Sequence, residues 1–187
     1  MDQADKPNSL APCLLISMPQ LLDPNFSRSV VLLCQHSPEG AFGLVLNRPT
    51  GKRATEVIEM APPPASDSGL QLWIGGPVEP QRGWILLGER PDENNGVQIC
   101  DRIYLSSSTA LLRRLLEGPP SSSCRLLVGY AGWGPGQLDQ ELTQSAWLIA
   151  EASPDLVFGA GGEEMWEAAL RRLGVDPIAL QTSSGVH

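Results

Sequence analysis

The run SVVLLCQH at residues 29–36 and the run AFGLVLN at residues 41–47 are separated only by Ser-Pro-Glu-Gly. Four residues are too few for the crossover that a parallel pair needs, and proline and glycine favour reversal, so the runs should pair antiparallel as a hairpin. This disfavours doubly wound parallel folds, in which a helix separates nearly every pair of strands. Arg48-Pro49 should end the second strand, because proline cannot donate to a ladder.

An apolar segment begins at 14–17, and further strands are predicted over 70–74, 83–87, 97–105, 125–128 and 146–150, with residues 91–96, Pro-Asp-Glu-Asn-Asn-Gly, turning between two of them. A short helix fits 55–60, ended by the proline-rich stretch 61–69, which reads as an exposed loop and the segment expected to move most. Serines 106 to 108 can cap a helix over 109–117, with Leu111, Leu112, Leu115 and Leu116 on one face. A short helix from Gln137 and a last one over 163–173 follow, the latter opening on two glutamates and closing on two arginines, as the helix dipole prefers. Strands outnumber helices and two links are hairpin-length. The predicted fold is one α+β domain with a largely antiparallel or mixed sheet, spanning 13–173 between a flexible segment 1–12 and a tail 174–187.

The glycine-rich stretch GYAGWGPGQLDQE, residues 129–141, invites comparison with a phosphate-cradling loop. It lacks GxxxxGK[ST], and it lacks the wider GxGxxG unit with a later acidic residue. The favoured reading is a close-packed bend that needs Gly132, Gly134 and Gly136, with Tyr130 and Trp133 covering the sheet. The sharper reading has amides ahead of Gln137 holding a small anion while Trp133 stacks on an aromatic or apolar moiety.

Net charge is −8, which opposes a phosphate backbone, and no helix combines basic residues with polar readers. Specific nucleic-acid binding is therefore not expected. Of the thirteen basic residues only two are lysine, and arginine suits carboxylates and phosphates. Arg28, Arg48 and Arg82 flank the hairpin and a later strand; they either brace loop carbonyls and pair with Asp23 or Glu79, or form an anion-recognition cluster. His36 reads more readily as a hydrogen-bonded turn residue than as a catalyst. No GxSxG is present, and Asp139 and Glu141, two apart on a helix, should be solvated. No catalytic residue is assigned. Four scattered cysteines at 13, 34, 100 and 124 form no CxxC, and the only histidines are His36 and His187, so neither a metal nor a cofactor is expected. A polar start and the lack of a membrane-length apolar run point to the cytosol and away from the membrane.

Three segments, LLISMPQLLDPNFSRSVVLLCQHSPEGAFGLVLNRP, IGGPVEPQRGWILL and GYAGWGPGQLDQELTQSAWLIA, resemble the YqgE/AlgH family of bacterial proteins in order and spacing. The resemblance covers residues 13 to 173 and implies a bent, split sheet forming a pseudo-barrel with helices packed outside. It carries over no catalytic residue, since the family has no established reaction and its label of transcriptional regulator rests on genetic association. Many members have histidine where this chain has Leu87, so no role for that histidine transfers. The functional expectation is a non-catalytic regulatory or binding module for an unidentified protein or small anionic ligand, with Arg28, His36, Arg48, Arg82, Tyr130, Trp133 and Gln137 as candidate contacts. The alternative is an enzyme acting on a small phosphorylated or carboxylated substrate, and DNA-binding regulation ranks third.

Overall fold

The computed structural model describes residues 9–92, 96–159 and 161–183. Among these the chain forms β1 (Cys13–Ser17), β2 (Val30–Ser37), β3 (Gly40–Val45), β4 (Pro49–Arg53), α1 (Ala54–Val57), β5 (Gln71–Ile74), β6 (Val78–Leu87), β7 (Gly96–Cys100) and β8 (Ile103–Ser106). There follow α2 (Thr109–Glu117), β9 (Cys124–Trp133), α3 (Gln137–Thr143), β10 (Trp147–Ala150), α4 (Pro154–Val157), α5 (Gly162–Arg172) and α6 (Pro177–Ser183).

The hairpin forms as its linker demands, with Ser37 paired to Gly40. From it the sheet extends in the order β10-β1-β2-β3-β9-β6-β8-β7, every pair antiparallel. The exception lies to the side: β5 runs parallel to β9, Leu72 opposite Leu126 through Ile74 opposite Val128, and carries β4 on its other edge. The result is a single α+β domain whose sheet curls into a half-barrel, as predicted.

The continuous apolar character of β2 follows from burial on both faces. Val30 and Leu32 join a cluster with Leu14, Ile16 and Leu44 that α5 closes with Met165, Trp166, Ala169 and Leu170. Val31 and Leu33 face the other way, with Leu15, Val45, Trp133, Trp147 and Leu138 of α3. A third cluster sets Leu111 and Leu116 of α2 on Leu72, Ile85, Leu87 and Leu126. The serine cap is present, the Ser108 hydroxyl accepting from Leu111 N–H.

Four readings of the sequence need correction. Residues 97–105 are two strands, β7 and β8, because Arg102 takes φ 57 and reverses the chain; β6 consequently pairs with β8. Beyond Arg48-Pro49 the chain forms β4, an edge strand on which the leading proline leaves no ladder donor missing. The glycine-rich stretch is divided: 129–133 continue β9, 134–136 make the expected bend with Gly136 at φ 71, and α3 begins at Gln137, so of the three glycines nominated only Gly136 needs its special backbone. An added Cβ at Gly132 would meet nothing nearer than a Tyr130 ring carbon at 3.4 Å, and at Gly134 only Gln137 Oε1 at 3.9 Å. The close approach lies instead where Gly129, φ 76, crosses Gly76, φ 153. At the C-terminal end, 177–183 of the expected tail 174–187 form α6, and 184–187 lie outside the described residues, as do 1–8 of the expected N-terminal segment.

The cysteines are all free. Burial pushes the thiols of Cys13, Cys34 and Cys124 up to about 11, 12 and 12 from an ordinary 9.0. These protons are held more tightly in the fold than in the unfolded chain, so their contribution to stability is complete below pH 9 and is lost as pH rises towards 11 to 12. We expect these three thiols to react slowly with an aromatic disulfide reagent in the native protein at about pH 8, and promptly in denaturant. Denaturant midpoints should fall above about pH 9. Fast native labelling of Cys13 or Cys34 would contradict this.

Candidate functional site

The seven sequence-nominated residues do not share one cleft. Arg28 donates to Glu163 Oε1 on α5 at 2.5 Å and lies 5.7 Å from the Trp166 ring centre. Arg48 donates to the Ser27 carbonyl, beside Arg28, and lines a recess of about 160 Å³ with Pro24, Val45, Ile74 and Pro77. Burial lowers its pKa. Arg82 and Tyr130 meet elsewhere: Arg82 pairs with Glu79 at 3.4 Å and covers Trp84 at 4.5 Å, while Trp84 and Phe42 pack on Tyr130.

Trp133 and Gln137 belong to a third group, organised by Glu141. One Glu141 oxygen accepts the indole N–H of Trp133 at 3.0 Å and that of Trp147 at 2.7 Å, and the other accepts Gln137 Nε2 at 3.1 Å. Glu141 was expected to be solvated; it is instead the acceptor that fixes two tryptophans. Trp133 is 6% exposed and packs against Phe26 and Trp147, which leaves no ring face for a ligand. His36, also buried, accepts Leu10 N–H at Nδ1 at 3.1 Å, and its Nε2 lies 3.2 Å from Asp139 Oδ1 on α3 without hydrogen-bond geometry. The ring ties the N-terminal segment to β2.

A different place combines unspent charge with space. Arg125 begins the apolar run of β9, is 4% exposed, and projects its guanidinium against the ring of Trp73 at 3.9 Å from the centroid. It donates to the carbonyls of Leu46 and Gly159, each at 2.7 Å, and forms no ion pair among the described residues. Burial lowers its pKa to about 10, so it remains a cation at neutral pH. Arg125 and Trp73 line a recess of about 200 Å³, completed by Ser68, Gly69, Leu70, Gln71, Leu115, residues 119–121 and Cys124. The Ser68 hydroxyl is buried and has no hydrogen-bond partner among the described residues.

The recess exists because β5 and β9 run parallel: register sets Trp73 beside Leu127 and brings the loops before both strands to the same end. Sequence reading missed all three key residues. The one local signal was an arginine heading an otherwise apolar strand.

A family model described as AlgH-like matches residues 14–178. A UPF0301 protein of Ruegeria pomeroyi is 38% identical over 178 residues, covering 92% of this chain and 96% of its own. A UPF0301 protein of Stenotrophomonas maltophilia is 37% identical over 182 residues, covering 96% and 97%. Among solved structures, the solution structure of the AlgH protein from Pseudomonas aeruginosa superposes with TM-score 0.73 at 33% identity over the whole of both chains. A crystal structure of a Corynebacterium diphtheriae protein gives 0.71 at 27%, covering 100% of this chain and 95% of that one.

Proposed function

The chain belongs to the AlgH-like family, and from that premise and the geometry of the recess we propose that it is a non-catalytic cytosolic module that binds a small anionic ligand at the end of the β5–β9 ladder where the loops before both strands meet. One observation carries the reading: Arg125 keeps a buried positive charge with no carboxylate partner among the described residues, on the wall of an open recess. Burying an unpaired charge is costly, and an anion entering the recess would offset that cost. Ser68, whose buried hydroxyl has no partner among the described residues, adds a donor.

Binding is favoured over catalysis by the lining itself. It contains neither carboxylate nor histidine, so no group is available as general base for Ser68 or Ser121. The Cys124 thiol, pushed up to about 12, is protonated at neutral pH and a poor nucleophile.

The test is thermal shift with small carboxylates and phosphates at matched ionic strength. A ligand at about 100 times its Kd adds roughly 2.7 kcal/mol, which for a domain of this size raises Tm by about 5 to 11 °C. Ser121→Trp, at an exposed position on the rim, should leave the free protein's Tm nearly unchanged and remove the response. A response that survives this substitution places the ligand elsewhere and sinks the proposal.

Literal DNA-binding regulation has less support, because the net charge of −8 repels the duplex. We expect no sequence-specific gel shift at physiological salt. A salt-resistant shift at submicromolar protein would reverse that order of preference.

A further inference from the structure

Resting on that reading, we infer that the anion the recess takes is a small organic monocarboxylate with an apolar body, and that phosphoryl compounds are not its ligands. Charge balance is the first reason. Among the described residues Arg125 is the single charged member of the lining and the others are neutral. One buried cation compensates one negative charge. A phosphate monoester brings about 1.5 to 2 charges at neutral pH, and the surplus would be desolvated inside a protein that is already net −8. Phosphate sites normally supply several cations or a run of converging backbone amides, and a lone guanidinium provides neither.

Donor count is the second reason. A guanidinium has five N–H groups in a planar fork. One on each terminal nitrogen is committed, to Leu46 and to Gly159. Three remain, enough for the two oxygens of a carboxylate with one to spare, and the Ser68 hydroxyl can add another. A phosphoryl group would leave oxygens unsatisfied against the apolar remainder of the wall.

That remainder is the third reason. Leu70, Trp73, Leu115, Pro119 and Pro120 offer hydrocarbon surface to whatever carries the anionic group. At about 200 Å³ the recess is smaller than the roughly 300 to 1,000 Å³ of sites for drug-sized ligands. It suits a body the size of a benzene ring or a short alkyl chain and excludes a nucleotide.

Benzoate, benzamide, acetate and inorganic phosphate, titrated into the full-length protein and followed by calorimetry, separate the possibilities. Benzoate should bind saturably at one site, at least tenfold more tightly than acetate or phosphate, while benzamide, the neutral isostere, should not bind. Benzoate binding should vanish in Ser121→Trp, and in Arg125→Gln if that variant folds. The carboxylate could equally end a peptide, so a leucine-terminated pentapeptide and its C-terminal amide form a second arm. Binding by the free acid alone names a chain terminus as the source and keeps the chemistry. Phosphate binding more tightly than benzoate overturns this inference and leaves the anion site standing. Equal binding of benzoate and benzamide, or no binding by any probe, overturns both.

Discussion

Alanine at Gly76 or Gly129 is expected to abolish recovery of folded protein. Both glycines occupy positive φ, 153 and 76, where a side chain is strained whatever space surrounds it. Here there is also no space. A Cβ on Gly76 would overlap the Tyr130 carbonyl and stand 2.5 Å from Ala131 N, and a Cβ on Gly129 would overlap the Gly76 carbonyl. The obstructing atoms are main chain on both sides of the crossing, so no rotamer change relieves the clash. Strain and overlap together should cost about 4 kcal/mol or more, a large part of the roughly 5 to 15 kcal/mol that holds a domain folded. Gly134→Ala is the control: its position is exposed and open, and it should express and melt like the parent. Equal Tm values for Gly129→Ala and Gly134→Ala, from circular dichroism melts, would refute the assignment of the close contact.

Trp133→Ala should lower stability by about 3 to 5 kcal/mol, the usual range for deleting a buried tryptophan, or roughly 6 to 20 °C in Tm. The ring fills the contact between Phe26 and Trp147, and its N–H satisfies one of the bonds to Glu141. Trp133→Phe separates the two contributions. It keeps most of the packing and forfeits the N–H bond to a charged acceptor, so a loss of about 1.5 to 3 kcal/mol is expected. A stable Trp133→Ala protein would mean that this ring is available for a ligand after all, contrary to its burial.

The sequence was most legible where local chemistry forces one outcome. The β2–β3 hairpin, the Ser108 cap with α2, and α5 with its charge order were all written in adjacent residues. It was misread where the local signal is shared by two outcomes. Gly129 fits a bend or a strand closely approached by other backbone, and only the position of Gly76 decides between them, whereas Gly136 at φ 71 does serve the bend before α3. The reversal between β7 and β8 uses Arg102 in the left-handed region, where glycine or asparagine would have announced it. β4 is polar, as an edge strand can be, and so carried no hydrophobic period. The recess was illegible for a stronger reason. Ser68, Trp73 and Arg125 meet through a parallel pairing of segments some fifty residues apart, and no spacing rule predicts which strand takes the parallel place.

One strand, β9, serves β3 along residues 131–133, β5 along 126–128, and β6 along 124–128 and at Tyr130. Until it exists, the ladder of β1 to β3 and that of β6 to β8 have no strand in common. On the ribosome this makes the order of synthesis matter. At roughly 5 to 20 residues per second, β3 waits about 4 to 18 s after emerging before its partner follows, its outer edge unpaired meanwhile. Contact order is therefore high by construction, and folding should be slow for a domain of this length. The nascent half-sheet, with its continuous apolar β2, is the species a chaperone would meet.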